Sequence, residues 1–416
     1  MINNCKMNGS LAEWQGSVSK YCNGNSRLAF AVSCAFAAPL LSIAREENGG
    51  FNLFGPSSIG KTTALRVAAS VYGPKNYVQQ WRATSNGLEG VAAAHNDMLL
   101  VLDEMGQANP KEIGNTVYCL GNGSGKIRSN VRGDARTVKS WNSIYLSSGE
   151  TTLADHIETE GKYAKAGQEV RLIDIPADTG SYGIFENLHG FYSGAELAKE
   201  ISKYTDLYHG TAFIAYINAL GQVRREDIIK HIGDINRRFI DDLPFNCSGQ
   251  AVRVAGKFGF VAAAGELATN LGITGWDKYH ARRSAAKCLD TWIQYRGGVI
   301  QQEEVSILRV LKKFLELHGC SRFADYEYDS RLTIHNMVGY KKRDESDESQ
   351  HYFITIEAFR SEIYKGYNIK QVEQVLHARG VLIPEKGSKH MTRSERIQGV
   401  NQRCYRIDAK ILTMEF

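Results

Sequence analysis

The chain has 416 residues, enough for two or three domains and too many for one small domain. An apolar fraction of 43% beside 23% charged residues marks a globular protein, and a formal charge of only +5 means that any nucleic-acid surface must come from local clustering. The eight cysteines are scattered without a C-x-x-C pair, which offers neither a zinc site nor a disulfide framework and fits a reducing cytoplasm.

Residues 1–48 read as an N-terminal helical segment. Leu11 to Tyr21 is short and amphipathic, Ser26 is placed to cap the apolar run that follows, and Pro39 should kink or end it. Leu28 to Ala44 is the longest apolar stretch, but Ser33, Pro39 and Ser42 interrupt it and no basic segment leads into it. It therefore reads as a buried helix, not a signal peptide or a membrane span. The Gly49-Gly50 pair then breaks the helix ahead of a strand.

Phe51 to Phe54 reads as that strand and runs into Gly55, Pro56, Ser57, Ser58, Ile59, Gly60, Lys61, Thr62 and Thr63. This is the full G-x-x-x-x-G-K-[ST] phosphate-binding spacing. Backbone N–H groups of the loop and of the first helical turn converge on an anion, and the helix dipole adds to their effect. Lys61 is placed to reach the β- and γ-phosphates of ATP, and the Thr62 hydroxyl to ligate Mg²⁺.

Met98 to Leu102 is apolar without alternation, as in a strand buried on both faces, and it closes on Asp103 and Glu104. At the carboxyl end of a parallel strand this pair lies where ligands bind in such sheets. Asp103 then holds Mg²⁺ and Glu104 polarises the attacking water, so the pair points to hydrolysis and not only to binding. Ser147 and Ser148, at the end of a further strand from Trp141 to Glu150, are candidates to present a hydroxyl to the γ-phosphate or the water.

Between these strands the composition turns basic. Lys126, Arg128, Arg132, Arg136 and Lys139 surround the turn-like Arg132-Gly133-Asp134-Ala135-Arg136, a pattern that fits a β-hairpin projecting toward the phosphates of DNA. Arg171, embedded in the short apolar strand read from Gly167 to Ile175, either pairs with Glu169 or Asp174 or serves as an arginine finger for a neighbouring subunit. Residues 190–300 read as a helical lid region over the 49–189 core, with Arg253 and Lys257 one turn apart and Arg253 a candidate lid sensor. Past Arg296-Gly297-Gly298, residues 301–416 suggest a winged-helix-like domain. Its helices are 305–317, 359–364 and 369–378, and its strands are 381–383 and 405–407 about a loop carrying Lys386, Lys389, Arg393 and Arg396. Lys341 to Glu348, mixed in charge, reads as a loop.

Taken together, Asn25 to Phe30, Gly49 to Phe51, Ser57 to Leu65, Leu102 to Glu104 with Gly106-Gln107, Leu146 to Glu150, Gly167 to Arg171 and Ala263 to Ala268 resemble the bacterial domain-of-unknown-function family 927. The resemblance spans roughly residues 10–300. It implies an α/β, P-loop AAA+-like ATPase core with a parallel sheet, of the kind carried by mobile elements and often joined to primase modules. Some members resemble self-loading hexameric helicases related to MCM proteins. It further implies a homo-oligomer, DNA as the track, Arg171 acting in trans and residues 121–139 as a presensor hairpin.

The combined expectation is an ATP- and Mg²⁺-dependent hexameric ring motor of a mobile genetic element. It would translocate on single-stranded DNA and unwind forked duplex, work in the cytoplasm with a replication or primase partner, and have no membrane association. The alternative is a loader or remodeller of a nucleoprotein complex that uses the same site without processive unwinding.

Overall fold

The computed structural model describes residues 5–126, 138–244, 247–296, 302–327, 334–343, 349–385, 390–397 and 400–414. The chain divides into two units, Met1–Val299 and Ile300–Phe416.

The first unit opens with helices α1 (Leu11–Ser17), α2 (Ser26–Ala37) and α3 (Leu41–Ala44). An alternating region follows: β1 (Gly49–Phe54), α4 (Lys61–Ala69), β2 (Gln79–Gln80), α5 (Ser85–Ala94), β3 (Leu100–Asp103), α6 (Ile113–Asn122), β4 (Ile144–Gly149), α7 (Leu153–Glu158), α8 (Ala166–Glu169) and β5 (Leu172–Pro176). Five helices then complete the unit: α9 (Gly194–Leu207), α10 (Thr211–Leu220), α11 (Arg225–Asp241), α12 (Gly249–Asn270) and α13 (His280–Arg296). The strands form one sheet in the order β2-β3-β4-β1-β5, with every neighbouring pair parallel.

Strand alternation divides the apolar residues between two layers. Leu99, Val101, Phe51, Leu53, Leu146 and Ile173 face the layer of α2, α4, α12 and α13, whereas Leu100, Leu102, Tyr145 and Leu172 face that of α5, α6 and α7. The first layer is fastened by Phe30, Phe51 and Phe258, whose ring centroids lie 4.9–5.2 Å apart and tie α2, β1 and α12 together. The segments read from sequence as N-terminal helices, core and lid thus share one apolar cluster.

Ser26–Ala44 is long and apolar enough to cross a membrane, but most of it is buried inside the protein. Pro39 sits in a short 3-10 turn between α2 and α3, so it divides the run as its ring requires. Two local expectations are corrected. Ser26 is not the cap: Asn25 holds that position, and the Ser26 N–H donates to the Glu186 carboxylate at 2.5 Å. Nor do Gly49 and Gly50 break the helix, since Arg45 in the left-handed region ends it and both glycines begin β1. Their smallness serves packing, because a Cβ on Gly50 would lie 2.1 Å from the Tyr145 ring.

The second unit contains α14 (Gln302–His318), β6 (Phe323–Asp325), β7 (Gly339–Arg343), β8 (Gln350–Thr355), a π-helical turn at Ala358–Ile363, α15 (Ile369–Ala378), β9 (Arg393–Ile397) and β10 (Val400–Asp408). Its sheet runs β6-β7-β8-β10-β9, parallel only between β6 and β7. Leu308, Leu311 and Leu315 pack with Phe359, Tyr364, Leu376 and Tyr405 on one face. The expected two-stranded wing is therefore part of a larger mixed sheet. Residues 381–383 contribute only a bridge from Leu382 to Ile407, and Arg393 and Arg396 lie in a strand. Lys341 to Arg343 end β7, where Lys342 pairs with Glu327 at 2.7 Å, so this part of the expected loop is strand, and residues 344–348 lie outside the described residues. Lys386 and Lys389 lie outside the described residues.

Candidate nucleotide-binding site

β1 delivers Gly55 to the carboxyl edge of the sheet, and α4 starts at Lys61, so the expected phosphate loop spans the gap between them. Its backbone enters the left-handed region at Ser58 (φ +63°) and Gly60 (φ +100°). At Gly60 a Cβ would also lie 2.6 Å from the Ile184 side chain, which leaves glycine as the residue that fits. The Ile184 N–H donates to the Ile59 carbonyl at 2.8 Å and braces the loop from outside. Lys61 Nζ folds back over it, donating to the Gly55 and Pro56 carbonyls at 2.7 and 2.5 Å. Burial pushes this amine below its ordinary pKa, while Glu150 and Asp103 draw it upward.

β3 and β4 bring the other predicted groups to the same edge. Thr62 Oγ1 donates to Asp103 Oδ2 at 3.5 Å, and Ser148 Oγ donates to the other Asp103 oxygen. The Glu104 N–H is shared between Asp103 Oδ1 at 3.1 Å and Ser148 Oγ at 3.2 Å. This clamp fixes Glu104 in the left-handed region, φ +59°, a conformation that costs about 1–3 kcal/mol for a non-glycine residue. The Glu104 carboxylate is exposed at the edge, and the Gln107 side-chain amide donates to it. Sequence reasoning paired Glu104 with Asp103 but gave Gln107 no role.

Ser147 does not face this edge. Consecutive strand residues point to opposite faces, and Ser147 is fully buried in the far layer, accepting from Trp81 Nε1 at 2.8 Å. The expectation that it presents a hydroxyl to phosphate is corrected. Ser148 lies on the right face but is buried beneath Asp103, where it aims the carboxylate.

Among the described residues no three His, Cys, Asp or Glu side chains gather into a ready-made metal cage. Thr62 and Asp103 supply two neighbouring oxygen donors, the hard-ligand set and small number that Mg²⁺ takes from a protein when phosphates and waters complete its shell. The residues fit the ion.

Arg171 sits at the opposite edge of the sheet. Its carbonyl accepts from Gly50 N–H at 2.8 Å, at the start of β1, whereas the phosphate loop leaves the end of that strand. The six-residue strand separates the two by roughly 15–20 Å, beyond the reach of an arginine side chain. Arg171 Nε donates to Asn122 Oδ1 at 3.2 Å and an NH₂ group to the Gly167 carbonyl at 2.8 Å, with the guanidinium 5.0 Å from the Tyr118 ring centroid. Among the described residues it makes no ion pair, so Glu169 and Asp174 are not its partners.

Arg253 lies at this same edge, paired with Glu47 at 3.2 Å, and Lys257 Nζ donates to the Asn48 carbonyl at 2.8 Å. The expectation of a lid sensor over the chain's own nucleotide is corrected: α12 presents Arg253 at the start of β1, not at its end. Of the basic segment, Arg128, Arg132 and Arg136 lie outside the described residues. Lys126 and Lys139 are exposed, and the flanks pair antiparallel through Gly125 N–H to the Lys139 carbonyl at 2.8 Å and Trp141 N–H to the Gly123 carbonyl at 2.9 Å.

Asp174 on β5 is a titratable group that sequence reasoning treated only as a partner for Arg171. Burial pushes its carboxyl up to about 7 despite bonds from Asn52 Nδ2 at 2.6 Å and Leu153 N–H at 3.0 Å, with Glu169 and Asp155 adding to the rise. The folded form therefore binds the proton more tightly than the unfolded chain, and stability falls as pH rises from about 4 to about 7. Asp174→Asn is expected to remove that slope and raise the melting temperature at pH 8. Asn52 has a buried oxygen without a partner, so its amide can rotate to accept from the new one. Melting curves at pH 5 and pH 8 for both proteins check this, and an unchanged slope would locate the titration elsewhere.

Fold and site together describe a large mixed α/β protein with an N-terminal helical region, a parallel sheet ending in a glycine-framed loop, and a C-terminal mixed sheet. Residues 1–140 match the family model of a domain of unknown function, DUF927. Among solved structures, the chain is similar to one described as "SCCmec type IV Cch - active helicase", with a TM-score of 0.74 at 17% identity over 98% of this chain and 72% of that one. That likeness is one of fold. A further match, NtrX from Brucella abortus in complex with ATP, has a TM-score of 0.23 at 12% identity over 61% of this chain and 66% of that one, too low to bear on the fold. No curated protein matches the sequence significantly.

Proposed function

We propose that the protein is an AAA+-like, Mg²⁺-dependent ATPase that works as a homo-oligomeric ring, a hexamer, on single-stranded and forked DNA. In this reading it serves the replication of a mobile element in the cytoplasm, beside a replication or primase partner, and the second unit is a winged-helix-like attachment. The observation that carries the reading is the split between the two edges of one sheet. Lys61, Thr62, Asp103, Ser148 and Glu104 gather at one edge, and Arg171 is held at the other.

Loop N–H groups and Lys61 bind the phosphates, and Glu104 orients and deprotonates the attacking water. Mg²⁺ held by Thr62 and Asp103 would neutralise charge on the β- and γ-phosphates. Ser148 keeps Asp103 aimed, and Arg171 of an adjacent copy stabilises charge at the γ-phosphate. The Arg171 side chain also bonds Asn122, the last residue of α6 before the basic segment. A change at the neighbour's γ-phosphate is thereby passed to the root of a DNA contact, which is what a motor needs. The fold likeness to a protein described as an active helicase agrees with this reading.

Single-stranded DNA should stimulate hydrolysis, and the triple substitution Arg128→Ala, Arg132→Ala, Lys139→Ala should weaken DNA binding about tenfold or more. It should also flatten the salt dependence of binding by about two units of log–log slope while sparing basal hydrolysis. Strand-displacement assays on forked duplex separate processive unwinding from loading or remodelling. Hydrolysis indifferent to DNA across DNA and salt concentrations would sink the DNA-motor reading.

A further inference from the structure

The helical part of the first unit carries a polar groove of about 250 Å³ between α11, α12 and the turn into α13. Arg238 lines it from α11, and Lys278, Tyr279 and Arg282 line it from the turn and from α13. Among the described residues none of these three cations makes an ion pair. The buried carboxylate in the wall, Glu266, is already engaged, since its two oxygens accept the Tyr279 and Arg282 N–H groups at 2.8 and 2.9 Å. Those bonds hold Tyr279 in the left-handed region, φ +67°, with its side chain half exposed. The Arg282 guanidinium lies 4.9 Å from its ring centroid and occupies one face of the ring. The carboxylate thus shapes the turn through main-chain bonds, and the three cations outnumber Glu266 and Asp234 in the lining.

Three cations without an ion pair among the described residues, one of them against an aromatic ring, are complementary to a phosphodiester and an unstacked base. Asp234 and Asn270, also in the wall, add an acceptor and an amide for base edges. We propose that this groove binds a nucleotide unit of single-stranded nucleic acid, its base on Tyr279 and its phosphates on Arg238, Lys278 and Arg282. Duplex offers phosphates but no free base face, so the ring selects for the single strand. No residue of the groove belongs to the phosphate loop or to the basic segment before Trp141, so this contact goes beyond the function proposed above and fails or holds separately.

Fluorescence anisotropy with a labelled oligo-dT, on the full chain, tests it with two variants of different chemistry. Tyr279→Asn tolerates the left-handed backbone and removes the ring. It should weaken oligo-dT binding about 5- to 100-fold with the salt slope unchanged. Arg238→Gln with Lys278→Gln should weaken binding and lower the slope by about 1.4, the contribution of two phosphate contacts on a single strand. Basal ATP hydrolysis and the melting temperature of both variants should match wild type, which separates loss of a contact from loss of the fold. Wild-type affinity and slope in both variants would overturn the proposal. So would dTMP displacing the oligonucleotide at concentrations near the oligonucleotide's own Kd, since the groove would then be a site for free nucleotide.

Discussion

Replacing Glu104 with Gln is expected to lower steady-state ATP hydrolysis about 10²- to 10⁴-fold while ATP affinity stays within a few-fold of wild type. The substitution keeps the shape of the side chain, and its carbonyl still accepts from the Gln107 amide, so the geometry around the clamp survives. The left-handed backbone at residue 104 is held by main-chain bonds to Asp103 and Ser148, which the substitution does not touch. What is lost, in the proposed role, is the ability to take a proton from water. Phosphate-release kinetics with equilibrium binding of a fluorescent ATP analogue read the two effects separately. Equal loss of binding and turnover would make Glu104 a support of the loop, and unchanged turnover would assign the base to another carboxylate.

Arg171→Ala is expected to lower kcat about 10³-fold or more, with ATP affinity and melting temperature changed far less. The guanidinium makes two hydrogen bonds and one ring contact, each of modest worth on a partly exposed group, so its removal leaves the sheet edge standing. The expected kinetic loss is out of proportion to those contacts because in the proposed role the charge acts on a transition state. Arg171→Lys should not restore the rate, since an ammonium lacks the planar fork that meets a phosphoryl group. A loss of stability comparable to the loss of rate would instead assign Arg171 to the packing of Tyr118 and α6.

The strand–loop–helix geometry around Gly55 and Gly60 was legible because its signals are local: an apolar strand, glycines and a helix-forming run follow one another along the chain. The same holds for β3, whose uninterrupted apolar run ends on its carboxylates. What could not be read were properties of pairing. Ser147 and Ser148 are equivalent until β4 is placed beside β3, and alternation then sends one to Trp81 and the other to Asp103. Arg253 has a suitable helical phase, but only the direction of α12 against β1 decides which edge it reaches. Gly49-Gly50 resembles a helix breaker, and only the Lys257 side chain beside Gly49 and the Tyr145 ring over Gly50 explain the pair within a strand. In the second unit β7 and β9 carry lysine and arginine because their polar faces are solvated, so periodicity without the sheet reads them as loops.

In the proposed reading, the site at one edge of the sheet is completed by Arg171 from a second copy of the chain. Mixing Lys61→Ala subunits with Arg171→Ala subunits over a range of ratios measures this directly, since each variant alone lacks one half of every site. A mixed oligomer contains interfaces where an intact phosphate loop meets an intact Arg171. The account predicts that ATP hydrolysis recovers in the mixtures, with a maximum at intermediate ratios, while neither variant alone is active. Activity that stays at the level of the separate variants at every ratio, in mixtures shown by size to co-assemble, would contradict it.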